Sequence, residues 1–134
     1  MKYDKPMMDT AVTWARMSSC KKRQVGAVIA MNDYIIATGY NGTVKGQDNN
    51  CECEQGNTKP GVIHAEINAI GRCALAGVTT NNATMYVTLA PCVDCAKLII
   101  TAGISRVVYK EQSTTGVVGL ALLGLAGVIC ERYK

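Results

Sequence analysis

Apolar residues near the N-terminus first follow a helical period and then an extended one. An amphipathic helix ending near SSCKKR is predicted from apolar residues spaced three and four apart: Met8, Ala11, Val12 and Ala15. Two runs rich in β-branched residues follow in VGAVIAMNDYIIATGY and meet at Asn32 and Asp33. This composition and its central turn residues predict a β-hairpin.

The predicted hairpin is followed by a Gly- and Asn-rich segment without periodicity, NGTVKGQDNNCECEQGNTKPG. We interpret this segment as one long loop, because it shows neither the helical nor the extended pattern. Loops of this length in compact domains are usually functional or mobile.

From residue 63 onward, helical and extended patterns alternate. Helices closed by Gly77 and Gly103 are predicted over VIHAEINAIGRCALAG and CVDCAKLIITAG, and strands over ATMYVTL and SRVVY. The apolar run 116–126 predicts a buried helix, and GVICERY a last strand. Strands that alternate with helices are usually parallel and joined by crossover helices. The predicted fold class is therefore α/β, a three-layer α/β/α sandwich. Its five-stranded mixed sheet contains the N-terminal hairpin and three parallel strands.

The composition is that of an ordinary globular chain. Its 134 residues predict one domain over residues 1–134, and 49% hydrophobic with 18% charged residues argue against disordered and fibrous classes. The net charge of +4 is too mild for a typical nucleic-acid-binding surface, but it leaves an anionic small molecule as a candidate partner. The first residues lack the apolar core of a signal peptide, and the longest apolar run is too short to span a membrane. We therefore expect a cytoplasmic protein without a membrane partner.

The chemistry that the sequence suggests begins with its cysteines. Seven cysteines, an odd number without a secretory signal, favour reduced thiols or metal ligation over a disulfide framework. Cys92 and Cys95 lie in PCVDC, and the only histidine, His64, lies in HAE. Both motifs stand where a helix is predicted to begin. Cys92 and Cys95 then share one face of the first turn, where the helix N-terminus favours thiolates.

One imidazole and two thiolates supply three protein ligands for zinc, which leaves the fourth tetrahedral position for water, as in catalytic sites. Glu66 is not needed as a ligand and is expected to carry a proton from that water to a leaving amine. Within a helix, His64 and Glu66 would point about 200° apart, so a shared site requires the helix end. A bare CxxC pair is more often structural or redox-active. Its combination with HAE favours the catalytic interpretation.

The combination of H-x-E with P-C-x-x-C is the signature of zinc-dependent nucleobase deaminases. Over roughly residues 5–132, the chain resembles the deoxycytidylate (dCMP) deaminase family in RQVGAVI, ATGYNGT, HAEINAI and ATMYVTLAPCVDCAKLIITAGISRVVY. The zinc motifs are shared by the whole cytidine deaminase-like superfamily, whereas GYNG and CAKLIITAGI narrow the resemblance to dCMP deaminases. The resemblance implies the cytidine deaminase-like fold. It also implies hydrolysis of dCMP to dUMP and ammonia, which feeds dTTP synthesis.

The resemblance assigns zinc binding to His64, Cys92 and Cys95, and proton transfer to Glu66. It also implies four substrate-binding positions. Asn41 matches a position that contacts the sugar and phosphate end of the nucleotide, and Arg23 matches a basic position near the phosphate. Ala65 and the backbone around Ala90 would line the pocket for the base.

The same resemblance implies a homo-oligomer, commonly a hexamer, that dCTP activates and dTTP inhibits. The effector would lie near the GYNG loop at a subunit boundary. The loop from Gly42 to Gly61 is long and Gly-rich enough to order on binding, and Gly46 and Asp48 are candidates to meet a triphosphate and its Mg²⁺. The alternative interpretation is a mobile lid over the active site.

The remaining cysteines divide into two groups. Cys20, Cys51 and Cys53 are interpreted either as unpaired surface cysteines or as ligands of a second, structural zinc ion that lacks an identified fourth ligand. Cys73 and Cys130 lie on apolar elements and are predicted to be core residues.

The segment KEQSTTG departs from the family pattern after the fourth strand and leaves the second phosphate contact unassigned. It therefore leaves open a wider substrate range that includes dCTP or other cytosine nucleotides. Two further alternatives are a deaminase of a free nucleoside or of a tRNA adenosine, and a non-enzymatic zinc module. The mild charge and GYNG argue against tRNA, and Glu66 argues against a purely structural zinc site.

Overall fold

The hairpin forms one edge of a five-stranded sheet in the computed structural model, which describes residues 1–134. The helices are α1 (Asp4–Ala15), α2 (Ala65–Ala76), α3 (Val93–Thr101) and α4 (Thr114–Leu125). The strands are β1 (Gly26–Met31), β2 (Tyr34–Tyr40), β3 (Gly42–Thr43), β4 (Val62–Ile63), β5 (Thr84–Leu89), β6 (Arg106–Glu111) and β7 (Ile129–Arg132).

The strand order in the sheet is β2-β1-β5-β6-β7. Strand β1 pairs antiparallel with both β2 and β5, whereas β5, β6 and β7 are parallel to one another. The predicted five-stranded mixed sheet with three parallel strands is therefore confirmed.

Successive side chains of the central strands point to opposite faces of the sheet and contribute to two apolar layers. Val28, Tyr86 and Val108 pack with α1 on one face of the sheet. Residues one position away, among them Val87 and Val107, point to the other face, where they join side chains of α2, α3 and α4. The helices therefore cover both faces, as the predicted sandwich requires.

Two glycines allow close helix packing at the end of the sheet that carries the HAE and PCVDC motifs. A Cβ atom on Gly39 of β2 would collide with the backbone of Ala65 at the start of α2. A Cβ atom on Gly119 of α4 would collide with the carbonyl oxygen of Pro91, just before α3. The starts of α2 and α3 are thus fixed against neighbouring backbone.

A network of ion pairs and a hydrogen bond connects the start of α1 to the sheet. Arg106 of β6 donates hydrogen bonds to both carboxylate oxygens of Asp4 and pairs with Glu131 of β7. Tyr86 donates its hydroxyl to Asp4 Oδ1 at 2.8 Å, and burial raises the pKa of Tyr86 to about 12. At neutral pH the hydroxyl therefore remains a hydrogen-bond donor.

The structure corrects the prediction for the apolar run 116–126. Helix α4 buries only Gly116, Gly119 and Leu123, whereas Val117 is 58% exposed and Leu125 is 87% exposed. An apolar sequence does not distinguish a helix packed on all sides from one packed on a single face. No helix in the structure is long and apolar enough to cross a membrane.

The predicted loop after the hairpin is also partly ordered into strands. Its first residues form β3, which pairs antiparallel with β4 just before α2. A further isolated bridge joins Glu52 to Thr58. These short strands could not be predicted from the sequence, because two residues are too few to show an alternation of apolar and polar positions.

Candidate active site

Two helix starts bring the predicted metal ligands together. His64 and Cys92 are the N-cap residues of α2 and α3, both with extended backbone, and Cys95 lies in the first turn of α3. The His64 Nδ1 atom lies 3.3 Å from Cys95 Sγ and 3.5 Å from Cys92 Sγ. All three donor atoms lie within 4.8 Å of one another.

This arrangement suits zinc. Tetrahedral zinc, with bonds of about 2.0–2.1 Å to nitrogen and about 2.3 Å to sulfur, places those atoms about 3.6 Å apart. Cys92 and Cys95 are free thiols rather than a disulfide, so the cluster retains three donors. Burial raises the pKa of the Cys95 thiol far above its usual value, so the thiolate requires a nearby cation. Cys95 is buried and His64 exposed, which leaves one side of the cluster open.

Glu66 faces the same opening from the first turn of α2. It is only 4% exposed, and burial raises the pKa of its carboxyl group above the usual value. His64 and Glu66 both line one cavity, because His64 lies at the extended N-cap and only Glu66 is inside the helix. The angle of about 200° expected between two such residues inside a regular helix therefore does not apply to His64 and Glu66.

The cavity that adjoins the cluster has a volume of about 190 Å³. Its wall includes all four residues that sequence analysis proposes for substrate binding: Arg23, Asn41, Ala65 and Ala90. Ala65 and Ala90 are buried beside the metal cluster. The Ala90 N–H donates to Glu111 O, so only the carbonyl of Ala90 remains available to a ligand.

Asn41 forms hydrogen bonds with the backbone on either side of Gln24, next to the cation Arg23 of the cavity wall. Its Oδ1 accepts the N–H of Val25 at 2.9 Å, and its Nδ2 donates to Arg23 O at 2.8 Å. Each amide atom retains one further hydrogen-bonding position, since the oxygen has two lone pairs and the nitrogen two hydrogens. Asn41 therefore holds the segment around Arg23 whether or not it also contacts a ligand.

Several residues that line the cavity were not predicted from the sequence as site residues. Lys22 adds a second cation beside Arg23, and Thr115 contributes from the first turn of α4. Glu52 also lines the wall, and its carboxylate accepts the backbone N–H groups of Lys21 and Lys22. The basic run at Lys21 to Arg23 was the only signal for Lys22. Nothing in the sequence indicated Glu52.

The second group of cysteines requires a correction. Cys20 and Cys51 are buried and joined by a disulfide, so they are not unpaired surface cysteines, and Cys53 is a free, half-buried thiol. The donor group around this pair consists of Cys20, Cys51 and Glu52, without Cys53. The disulfide joins residues 31 positions apart. Such a pairing depends on the fold and does not follow from cysteine spacing.

Cys73 and Cys130 belong to the core, as predicted, whereas the proposed effector residues lie outside the wall of the cavity. Cys73 is buried in the core and Cys130 packs against it, as predicted. Gly42, Gly46 and Asp48 do not line the cavity beside the metal cluster. The Asp48 carboxylate instead accepts from Lys59 at 3.3 Å and from the backbone of Asn50.

Known proteins resemble this chain over most of its length. Residues 1–111 match the model of the cytidine and deoxycytidylate deaminase zinc-binding region. The chain is 40% identical over 129 residues to ComE operon protein 2 of Bacillus subtilis, covering 90% of this chain and 65% of that protein. It is 34% identical over 142 residues to the deoxycytidylate deaminase of Schizosaccharomyces pombe, covering 98% of this chain. The chain spans 44% of the length of this yeast protein and 65% of the Bacillus protein.

A solved structure resembles the whole chain. The dCMP deaminase of cyanophage S-TIM5, crystallised with dCMP and dUMP, superposes with a TM-score of 0.95 at 35% identity. The match covers 98% of this chain and 97% of the phage chain. The similarity therefore extends over the sheet, the helices and the loops around the cavity.

Proposed function

Because the chain belongs to the deoxycytidylate deaminase family, within the cytidine deaminase-like superfamily, we propose that it hydrolyses dCMP to dUMP and ammonia. The product would supply dTTP synthesis. One observation carries the proposal: a His/Cys/Cys cluster and a buried carboxylate open on a cavity whose wall also bears Lys22 and Arg23. Such a cavity suits a base that carries an anionic group.

We assign metal binding to His64, Cys92 and Cys95. Zinc, when bound there, supplies a Lewis acid that makes water a better nucleophile near neutral pH. The Glu66 carboxylate accepts a proton from the attacking water and returns a proton to the departing amino group. Burial of Glu66 favours this exchange, because it raises the pKa of the carboxyl group above its usual value and so makes the carboxylate a stronger proton acceptor.

The base would lie against Ala65 and Ala90. Both side chains are small and buried, which leaves room for a flat ring next to the metal cluster. The carbonyl of Ala90 would accept a hydrogen bond from the exocyclic amino group of a pyrimidine. The larger Leu89 closes the wall beside it.

The phosphate would lie at the cationic end of the cavity. Arg23 offers a guanidinium fork suited to phosphate oxygens, and Lys22 offers a point charge. Lys22 is therefore our candidate for the phosphate contact that KEQSTTG leaves unassigned. Glu52 and Asn41 hold the backbone of these two residues, so the cations are presented by a fixed segment.

A wider range of cytosine nucleotides is the second candidate function. The Lys22 and Arg23 side chains are exposed, so further phosphate groups of dCTP would extend toward solvent without a wall to exclude them. Deoxycytidine, which lacks a phosphate, would lose both contacts.

The test is a substrate panel on purified, zinc-loaded protein: dCMP, dCDP, dCTP, deoxycytidine and cytidine. We expect the highest kcat/KM for dCMP. In parallel, Glu66→Gln should retain one zinc ion per chain and lose turnover by about 10³-fold or more, because the amide cannot accept the proton. A higher kcat/KM for dCTP would favour the second candidate. Appreciable turnover by the Gln variant would remove Glu66 from the mechanism.

We further propose homo-oligomers, with a hexamer as the expected state, regulated by dCTP and dTTP. The exposed apolar face of α4, with Val117, Val118 and Leu125, supports assembly because it would lose contact with water. Regulation would use Mg²⁺ with the nucleotide near the loop that contains Gly46 and Asp48. Mass in solution and the shape of the dCMP rate curve, with and without dCTP, test both parts. A monomer with hyperbolic kinetics that neither nucleotide alters would contradict them.

A further inference from the structure

A second cavity, also of about 190 Å³, adjoins the first. It lies where the end of α1 meets the start of β1 and the ends of β5 and β6. We call it the rear cavity. Its wall consists of Val12, Ala15, Arg16, Arg23, Gln24, Val25, Thr88, Leu89, Lys110 and Glu111.

The rear cavity carries an excess of positive charge. Arg16, Arg23 and Lys110 line it, against the single carboxylate of Glu111. None of these three cations forms an ion pair, whereas Arg106 and Lys59 pair with acidic residues elsewhere in the chain. Three unpaired cations that converge on one concavity repel each other, and a bound anion would relieve that repulsion.

The neutral part of the wall also suits an anion. Thr88 and Gln24 lie next to the cations. The Thr88 hydroxyl accepts from Gly26 N–H and keeps its own hydrogen to donate, and the Gln24 amide donates one hydrogen to Ser18 O and retains a second. Two of the cations are arginines, whose planar guanidinium groups bind phosphate oxygens through paired hydrogen bonds. A bound ligand with only one negative charge would leave part of the positive charge of the wall uncompensated. An anion with several negative charges therefore matches the rear cavity better.

The rear cavity shares part of its wall with the catalytic cavity. Arg23, Val25 and Leu89 line both. The adjoining backbone is hydrogen-bonded to the rear wall, since Gly26 N–H donates to Thr88 Oγ1 at 3.1 Å and Ala90 N–H donates to Glu111 O at 2.8 Å. An occupant of the rear cavity would therefore touch the back of the wall that faces the metal cluster.

We propose that the rear cavity is a binding site for a polyphosphate-type anion, held by Arg16, Arg23 and Lys110. The anion is either free, as pyrophosphate or tripolyphosphate, or the phosphate tail of a nucleotide. Because Arg23 borders both cavities, the bound anion draws its guanidinium away from the catalytic cavity. The site is separate in position from the loop that contains Gly46 and Asp48.

The test measures binding rather than turnover, so it does not depend on the proposed deaminase activity. Inorganic pyrophosphate is titrated calorimetrically into zinc-loaded protein at low salt. The double variant Arg16→Ala/Lys110→Ala should weaken binding by about a hundredfold, about tenfold for each of the two lost charge-assisted contacts. The matched control Lys45→Ala/Lys97→Ala removes two exposed cations that line neither cavity and should leave binding within about twofold of wild type.

A third variant, Lys22→Ala, locates the anion, because Lys22 lines only the catalytic cavity. Binding that persists in Lys22→Ala and falls in the Arg16/Lys110 variant supports the rear cavity. Absence of binding, an equal loss in the matched control, or a loss only in Lys22→Ala overturns the proposal. Parallel titrations with tripolyphosphate and dCTP identify the source. Tighter binding of dCTP that still requires Arg16 and Lys110 indicates a nucleotide, and equal binding indicates a free anion.

Discussion

Two groups of potential metal ligands border the same cavity, and their states differ. In the first, His64, Cys92 and Cys95 lie at helix starts with free thiols and donor spacings that suit zinc. In the second, Cys20 and Cys51 are bonded to each other beside Glu52. Cys20 lies in the segment between α1 and β1, and Cys51 lies in the loop between β3 and β4. The first group lines the cavity with His64 and Cys92, and the second lines another part of the wall with Cys20 and Glu52. Similar donor atoms thus remain available to a metal ion in one group and connect two parts of the chain in the other.

The largest expected effect comes from removing one ligand from each group. Cys95→Ala should lose zinc and, with it, all measurable deaminase activity, because a buried two-ligand site holds zinc weakly. Cys51→Ala should retain one zinc ion per chain and most of its activity. Metal analysis and dCMP turnover of the two purified variants provide the comparison. Loss of the only zinc ion from Cys51→Ala would show that the two groups have been assigned in reverse.

The second group should matter for stability. A disulfide that closes a loop across 31 positions lowers the entropy of the unfolded chain and contributes about 3–4 kcal/mol to the free energy of unfolding. We expect Cys51→Ser to lose about that amount in denaturant titrations. Reduced wild-type protein should behave like the variant, which controls for the substitution itself.

Thiol counting checks the pairing on which this expectation depends. The unfolded protein should show five free thiols before reduction and seven afterwards. Seven thiols before reduction, together with a second zinc ion that Cys51→Ser loses, would instead support the structural zinc site considered from the sequence.

The difference between the groups also explains what the sequence could predict. Local spacing placed Cys92 and Cys95 on one face of a helix start. His64, 28 positions before Cys92, was joined to them through the combined H-x-E and P-C-x-x-C signature rather than through local spacing. The Cys20–Cys51 pair and the contribution of Glu52 depend on contact between the loop and the segment that follows α1, which no local pattern encodes. Alternation of apolar segments predicted the mixed sheet. The same apolar criterion failed for α4, because it cannot show that Val117 and Leu125 have no partner.

The network around Asp4 provides a reference that involves no cysteine and no cavity. Arg106 holds the pKa of the Asp4 carboxyl group well below its usual range. The ion pair therefore stabilises the fold fully above the ordinary aspartate pKa of about 3.9, and that stability is lost as the pH falls through the lower folded-state value. Asp4→Asn should cost about 2–3 kcal/mol at pH 7 and flatten the decline in acid, in denaturant titrations at several pH values. An equally steep decline in the variant would show that other carboxyl groups control acid stability.

The smallest expected effect concerns Arg23, which borders both cavities but belongs to neither group of metal ligands. If its guanidinium contacts the substrate phosphate, Arg23→Ala should raise the KM for dCMP by about tenfold, the loss of one charged hydrogen bond. Activity on deoxycytidine should stay nearly unchanged, because the lost contact exists only for the nucleotide. Lys21→Ala is the matched control, since Lys21 is a neighbouring exposed cation that lines neither cavity. An equal loss on both substrates would mean that Arg23 shapes the shared wall through its backbone link to Asn41, and Lys22 would then remain as the phosphate contact in the catalytic cavity.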